Sequence, residues 1–204
     1  MSTIEAQPVV GLFGTCGDST FRKDLFIPEY ERLGIPYFNP QVDDWKPEYA
    51  DVEADHLATD TVQCWPVLGM TYGSSSLAEQ GYSVASSLRA PTPLPKFVIP
   101  MIEMELSDEL TDEIARQESL KARHLAITHM RNTASPNVFL VDTLQEMLEI
   151  SIVLHGVSKN IVNLMREHNP ALKRFMESRE RAAAIADIMA SGELGGEASK
   201  LVVT

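Results

Sequence analysis

The chain has 204 residues, 44% of them apolar, and a formal net charge of −12, enough for one domain with an elaboration and for a sizeable core. The acidity sets long-range repulsion against polymeric nucleic acid and anionic membrane surfaces, and no apolar run is long enough for a membrane span. Cys16 and Cys64 form no Cys-x-x-Cys pair, and the N-terminus carries no basic patch ahead of its first apolar run, so no disulfide framework and no signal peptide are expected and a reducing cytoplasm is the simple setting.

Val9–Phe13 reads as a buried strand, followed by the turn Gly14-Thr-Cys-Gly-Asp-Ser-Thr-Phe-Arg22. Gly14 and Gly17 free the backbone there, and Asp18, Ser19 and Thr20 are helix starters. Phe21, Leu25, Tyr30 and Leu33 recur at helical spacing up to Gly34, with Pro28 expected to kink the helix. Ile35–Phe38 is a second strand ending at Asn39-Pro40, and Gln41–Tyr49 a loop. Val52–Thr59 reads as a short acidic helix. Val62–Leu68 is a third strand, with Pro66 counting against regular pairing. Ser76–Leu88 reads as a helix, Phe97–Ile102 as a fourth strand and Val138–Val141 as a fifth. Strands alternating with helices predict a mostly parallel sheet.

Ser107–His129 is polar and helical, and stands as an insertion (about 107–135) between the fourth and fifth strands. The sheet-bearing domain is expected over 1–142. A helical extension follows over 143–204, with a capping box at its start and helices at about Thr143–His155, Ser158–His168 and Pro170–Ala190. Its apolar faces pack either on the parent domain or on another subunit, so a homo-oligomer is expected.

Open α/β sheets bind ligands at the carboxyl ends of their strands, which singles out three segments. In the first, a glycine turn entering a helix offers unpaired amides and the positive helix end to an anionic or polyhydroxylated ligand; Gly14, Thr15, Gly17 and Asp18 are its candidate contacts. Arg22 lies in that helix's first turn, where a cation opposes the dipole. It is either a ligand contact or a solvated, salt-bridged side chain. In the second segment Asn39, Asp43 and Asp44 stand beside Trp45, suited to ribose hydroxyls or a base edge over an apolar wall, or else to an ordinary Asx turn.

In the third segment, Tyr72-Gly-Ser-Ser-Ser-Leu-Ala-Glu79, a carboxylate can attack an electrophilic sugar carbon, while Ser74 and Ser75 can hold a hydroxyl or phosphate. Ser76-x-x-Glu79 is equally a capping box, in which Glu79 bonds back to the Ser76 amide. Asp60 either orients a base or shares a proton with Glu79, or is a turn residue. Cys16 has no histidine near it in sequence and is a poor thiol nucleophile candidate. The five histidines have no metal-ligand spacing. Neither Gly-x-Gly-x-x-Gly nor a phosphate loop ending in Gly-Lys-Ser/Thr occurs. No metal or cofactor is expected.

Taken together, Gly14–Arg22, Tyr37-Phe-Asn-Pro-Gln-Val-Asp-Asp-Trp45 and Tyr72–Glu79 resemble the nucleoside 2-deoxyribosyltransferase-like family over about Val9–Val141. The resemblance implies a flavodoxin-like three-layer fold with a roughly five-stranded parallel sheet. It implies cleavage of an N-glycosidic bond, by transfer to a second nucleobase or by hydrolysis, with Glu79 as the nucleophile. Asp60 or Asp43 is the nearest match to the aspartate that handles the base, and Ser74 and Ser75 to the serines that hold a 5′-phosphate. Partners are then a nucleoside or nucleotide and a free nucleobase. Two departures stand out: Tyr72 and Gly73 occupy the neighbourhood where the better-known transferases carry an aspartate, and the C-terminus is a long helical tail. The rival reading is a non-catalytic nucleotide-binding sensor on the same fold.

Overall fold

In a computed structural model, which describes residues 7–42, 46–89 and 95–168, the first strand, β1 (Val10–Leu12), is fully buried and sits inside a parallel sheet. Asp43, Asp44, Trp45 and the helix expected over 170–190 lie outside the described residues. The other strands are β2 (Tyr37–Phe38), β3 (Val62–Val67) and β4 (Phe97–Ile102), in the order β2-β1-β3-β4. β1 and β3 register Val10 on Val62 and Leu12 on Cys64. Continuous apolar runs suit strands covered on both faces.

Two prolines decide how this sheet ends. Pro66 sits inside β3 without breaking it. Its carbonyl faces β1 and accepts from the Thr15 amide at 2.9 Å, but β1 pairs with β3 only as far as Cys64, so the missing N–H falls past the ladder. Pro100 has the opposite effect. The segment expected as a fifth strand bonds Val98 N–H to Asn137 O, Phe139 N–H to Val98 O and Val141 N–H to Pro100 O. The next rung would need a Pro100 N–H. The segment therefore contributes two isolated parallel bridges, Val98 to Val138 and Met101 to Val141, and the sheet counts four strands.

The helices are α1 (Ile27–Leu33), α2 (Tyr49–Thr59), α3 (Ser74–Arg89), α4 (Glu113–Thr133) and α5 (Leu144–His168). A π-helical turn, Arg22–Phe26, runs into α1, closed by the Ile27 N–H on the Arg22 carbonyl. Pro28 then falls in the first turn of α1, where a missing donor is harmless, so it starts the regular helix rather than kinking it. On one sheet face Val10, Leu12, Val62, Cys64 and Ile99 pack with Phe26 and Tyr30 of the α1 arm and Met147, Leu148 and Leu154 of α5. On the other, Phe13, Trp65 and Val98 pack with Val84 of α3, Met130 of α4 and Leu57 of α2. The result is a layer of helices on each face of a parallel sheet.

Pro8–Asn160 form one compact unit. The first part of the expected extension thus belongs with the sheet: α5 opens with the anticipated capping box, Glu146 N–H to Thr143 Oγ1 at 3.1 Å and Thr143 N–H to Glu146 Oε2 at 3.2 Å. The polar segment expected as an insertion is the β4-to-Val138 connection itself. α4 is capped by Asp112, whose carboxylate accepts from the Ile114 and Ala115 amides, and it puts Met130 into the core. A second unit takes residues 1–7 and 161–204, of which the described part is the end of α5. Among the described residues no helix is long and apolar enough to cross a membrane.

Candidate active site

The loops after β1 and β3 are stitched together. Thr15 N–H bonds Pro66 O, and the Leu68 amide donates to Thr15 Oγ1 at 2.9 Å. Gly14 makes the approach possible: its φ is +88°, and a Cβ there would stand 2.3 Å from the Pro66 carbonyl oxygen. Thr15 is therefore a buried strut between the two loops, while Gly17 (φ +68°) and Asp18 lie on the exposed rim.

Arg22 organises that wall from inside. It is 1% exposed. Its Nε donates to Leu12 O at 2.7 Å, Nη1 to Thr15 O at 2.7 Å and Nη2 to Phe13 O at 2.8 Å. Longer contacts reach Ser19 Oγ, Gln41 Oε1 and the Cys16 sulfur. Its short bonds are all to carbonyls of the β1 loop, with none to a side chain that a ligand would replace. Asn39 is likewise local, accepting the Gln41 amide at 3.0 Å as an Asx turn. Gln41 in turn ties the β2 loop to the Gly17 and Ser19 carbonyls.

Arg123 repeats the device on the next loops, and nothing in its polar surroundings on α4 marks it in sequence. It is fully buried. Nη1 donates to Val67 O and Glu103 O at 2.9 and 2.7 Å, and Nη2 to Leu68 O and Thr71 O at 2.9 and 2.8 Å. Tyr72 and Gly73, the departure noted from the resembled family's pattern, are part of this framework. Tyr72 O accepts from Ser119 Oγ and its hydroxyl accepts the Asp112 amide. Gly73 (φ +70°) leaves room for the Arg123 guanidinium. Helix α3 starts directly after it, with Ser74 and Ser75 exposed in its first turn.

That start removes the capping-box reading of Glu79. Leu77 N–H already bonds Gly73 O, and Ser76 is a buried residue inside the first turn, so Ser76 is no N-cap and Glu79 closes no capping box. Glu79 is half-buried, with no hydrogen-bond partner among the described residues. Burial raises its carboxyl above the usual range, and the charge of Glu53 raises it further. Glu53, half-buried on α2, is also raised by burial, while the Arg22 guanidinium pulls it back down. Cys16 feels Arg22, Glu53 and Glu79 together, and enclosure of its sulfur lifts the thiol above its ordinary value despite Arg22. Cys64, pushed up to about 12 by burial, is inert.

Glu53 is a candidate that sequence reasoning missed: in a helix that also carries Asp51 and Asp55, only its half-burial and the charges of Arg22 and Glu79 near it distinguish it. Asp60 is not brought to Glu79. It precedes β3, at the far end of that strand from the loop leading to α3. Its Oδ1 pairs with His56 Nδ1 at 3.0 Å, and the charges that bear on it are those of His56 and Lys96. A cavity of about 560 Å³ opens between the loops after β3 and β4, lined by Gly69, Met70 and residues 103–108; neither Glu53 nor Glu79 lines it. Comparison with protein-family models, curated proteins and solved structures finds no match.

Proposed function

We propose that this chain cleaves the N-glycosidic bond of a nucleoside or nucleotide, with Glu79 as nucleophile and Glu53, rather than Asp60, as the acid that serves the base. What supports this reading is a pair of half-buried carboxylates, Glu53 on α2 and Glu79 on α3, each raised by burial, with the charge of Glu53 bearing on Glu79 and that of Arg22 on Glu53, while the short bonds of Arg22 go to backbone carbonyls. Attack needs the charge on Glu79 and the proton on Glu53, the reverse of the distribution favoured at rest, where the charge of Glu53 raises Glu79 and Arg22 lowers Glu53; substrate binding must therefore move the proton to Glu53.

The ionised Glu79 oxygen attacks the anomeric carbon as the C–N bond breaks. The bonding pair leaves with the base nitrogen, which takes its proton from Glu53. A glycosyl ester on Glu79 results. A second nucleobase, or water, then displaces Glu79 and gives its proton back to Glu53, as the two-step logic of retaining glycoside chemistry requires. The strand order β2-β1-β3-β4 supports a flavodoxin-like arrangement, in which such sites lie at the switch point beside β1. The motif resemblance of Gly14–Arg22, Asn39–Trp45 and Tyr72–Glu79 points to the same chemistry.

The test is incubation with deoxynucleosides and ribonucleosides, with and without their 5′-phosphates, in the presence of a free base. Expected are base release or exchange, and sugar mass on the peptide containing Glu79; Glu79→Gln abolishes both while the fold is retained. A wild-type protein that binds a nucleotide tightly, yet releases no base and traps no sugar, overturns the proposal in favour of a sensor.

A further inference from the structure

Buried polar groups at the amino end of β3 take no part in the chemistry proposed above, and they lie in one row. Phe38, Gly11 and Gln63 are in register across β2, β1 and β3. Because residue 11 has no side chain, the Asp60 carboxylate fits against it; a Cβ there would lie 2.7 Å from Oδ2. Asp60 is 2% exposed and its Oδ2 has no partner, and the same holds for Oε1 of the fully buried Gln63. Buried acceptors without donors are costly to a fold, and this row holds two.

The His56 ring of α2 covers Phe38. It lies flat on the phenyl ring, with centroids 3.7 Å apart and planes 7° from parallel. Its Nδ1 is 3.0 Å from Asp60 Oδ1; a carboxylate accepts, so Nδ1 donates. Any flat nitrogen heterocycle with an edge N–H would make both contacts, face on face and N–H into carboxylate. The two imidazole nitrogens diverge, so only one of them reaches the carboxylate, and Oδ2 goes unmet. The ring is also free to leave. Its side chain is 32% exposed, and α2 has no buried residue. The last turn of α2 is held through its backbone, where the Leu57 carbonyl accepts Gln63 Nε2 at 2.8 Å and also Lys96 Nζ. Rotation about the His56 χ1 therefore uncovers Phe38 and Asp60 without unseating the helix.

We propose that Phe38, Asp60 and Gln63 form a second ligand site, plugged by the protein's own His56, for a flat nitrogen heterocycle that presents a ring N–H beside an amino group, the donor edge of a guanine-type base. The ligand enters as the His56 ring swings out. It stacks on Phe38 and gives its ring N–H and one amino proton to the two Asp60 oxygens, a bidentate pairing that imidazole cannot make. Gln63 Oε1, in the same row, is the acceptor for the remaining amino proton. The charges of His56 and Lys96 favour the ionised carboxylate against its burial. The site stands at the amino end of β3, away from the loop that leads into α3, and does not depend on the chemistry proposed for Glu79.

The test is binding to the full-length protein, with no acceptor base added and no turnover needed. Guanosine, inosine and adenosine are titrated to millimolar concentration while the His56 ring resonances are followed by NMR. Guanosine carries the N–H and the amino group, inosine the N–H alone, and adenosine a bare ring nitrogen in place of the N–H. Guanosine is expected to move the His56 resonances toward those of a solvated imidazole, inosine to bind about tenfold more weakly, and adenosine to leave the ring in place. A plugged site binds more weakly by the fraction of time it is open, so His56→Ala should tighten guanosine by about tenfold or more. Asp60→Asn, which loses one of the two acceptors, should erase the preference for guanosine over inosine. Guanosine bound no more tightly by His56→Ala than by wild type overturns the inference. Should that variant fail to fold, the wild-type titration decides alone, and His56 resonances that guanosine does not move overturn it. Displacement of His56 in a protein that cleaves no nucleoside leaves this site standing and the proposed function fallen; cleavage with an unmoved His56 does the reverse.

Discussion

Replacing Arg22 by Met separates a framework role from a ligand-binding one. The guanidinium makes three short bonds, at 2.7, 2.7 and 2.8 Å, to the carbonyls of Leu12, Thr15 and Phe13. Thr15 O keeps a second partner in Ser19 Oγ at 2.8 Å, so its loss is partial. Each charge-assisted bond is worth about 1.5–3 kcal/mol, and a carbonyl left buried and unpaired costs about 1–3 kcal/mol. Against this, removing a buried cation recovers part of its desolvation cost. The balance is about 3 kcal/mol of lost stability, or roughly 6–12 °C in Tm for a chain of this size. Urea unfolding followed by circular dichroism measures it, with the midpoint moving at constant slope. Arg22→Lys should lose nearly as much, since an ammonium cannot fork to three carbonyls. A loss below about 1 kcal/mol, the ordinary range for a surface change, accompanied by weaker ligand binding, would refute the framework role and restore Arg22 as a substrate contact.

Gly14→Ala meets both a left-handed φ of +88° and a carbonyl oxygen 2.3 Å from the new Cβ; a loss of about 2–4 kcal/mol is expected in the same unfolding assay, from strain and displaced loop together. Thr143→Ala removes the acceptor of the Glu146 amide at the start of α5 and should cost about 1 kcal/mol, read as a Tm drop of a few degrees. Glu79→Gln has the opposite sign and a pH dependence. The folded-state pKa of Glu79 is raised, so its ionisation works against the fold, and that penalty grows as pH rises from the unfolded value through the folded one. Glu79→Gln should therefore match wild type at pH 4 and be more stable at pH 7, by on the order of 0.5 kcal/mol after screening of a half-exposed group. Equal stability at both pH values in a thermal-melt series would contradict the burial assigned to Glu79.

The sheet was legible because β1, β3 and β4 are buried nearly throughout, and such strands read as unbroken apolar runs. Phe97–Ile102 has the expected bounds, and the others are displaced by a residue or two. Where reading failed, a local signal was outvoted by a longer-range one. Ser76-x-x-Glu79 has the form of a capping box, but Gly73 at φ +70° lets α3 begin two residues earlier. Gly156 and Ser158 suggest a break, but α5 runs through them for 25 residues, because a helix packed along one face tolerates a glycine at about 1 kcal/mol. Pro66 drew notice and is harmless; Pro100 did not and removes the fifth strand's central rung. Arg123 and Glu53 were invisible because their importance lies in what the fold sets opposite them, and one arginine or glutamate on a polar helix resembles another.

The two buried arginines explain how an edge rich in glycine stays rigid while its chemistry stays acidic. Loops after parallel strands expose carbonyls that no neighbouring strand satisfies. Arg22 gathers those of the β1 loop, and Arg123 those after β3 and β4. The short bonds of each cation go to backbone carbonyls; at longer range the charge of Arg22 bears on Glu53, and that of Glu53 on Glu79. On the proposed function, carboxylates at this edge would offset positive charge developing at an anomeric carbon that loses its base. The bonds of Arg22 order the β1 loop from within, and Thr15 ties that loop to β3 through the Pro66 carbonyl and the Leu68 amide, so the framework needs both sets of contacts.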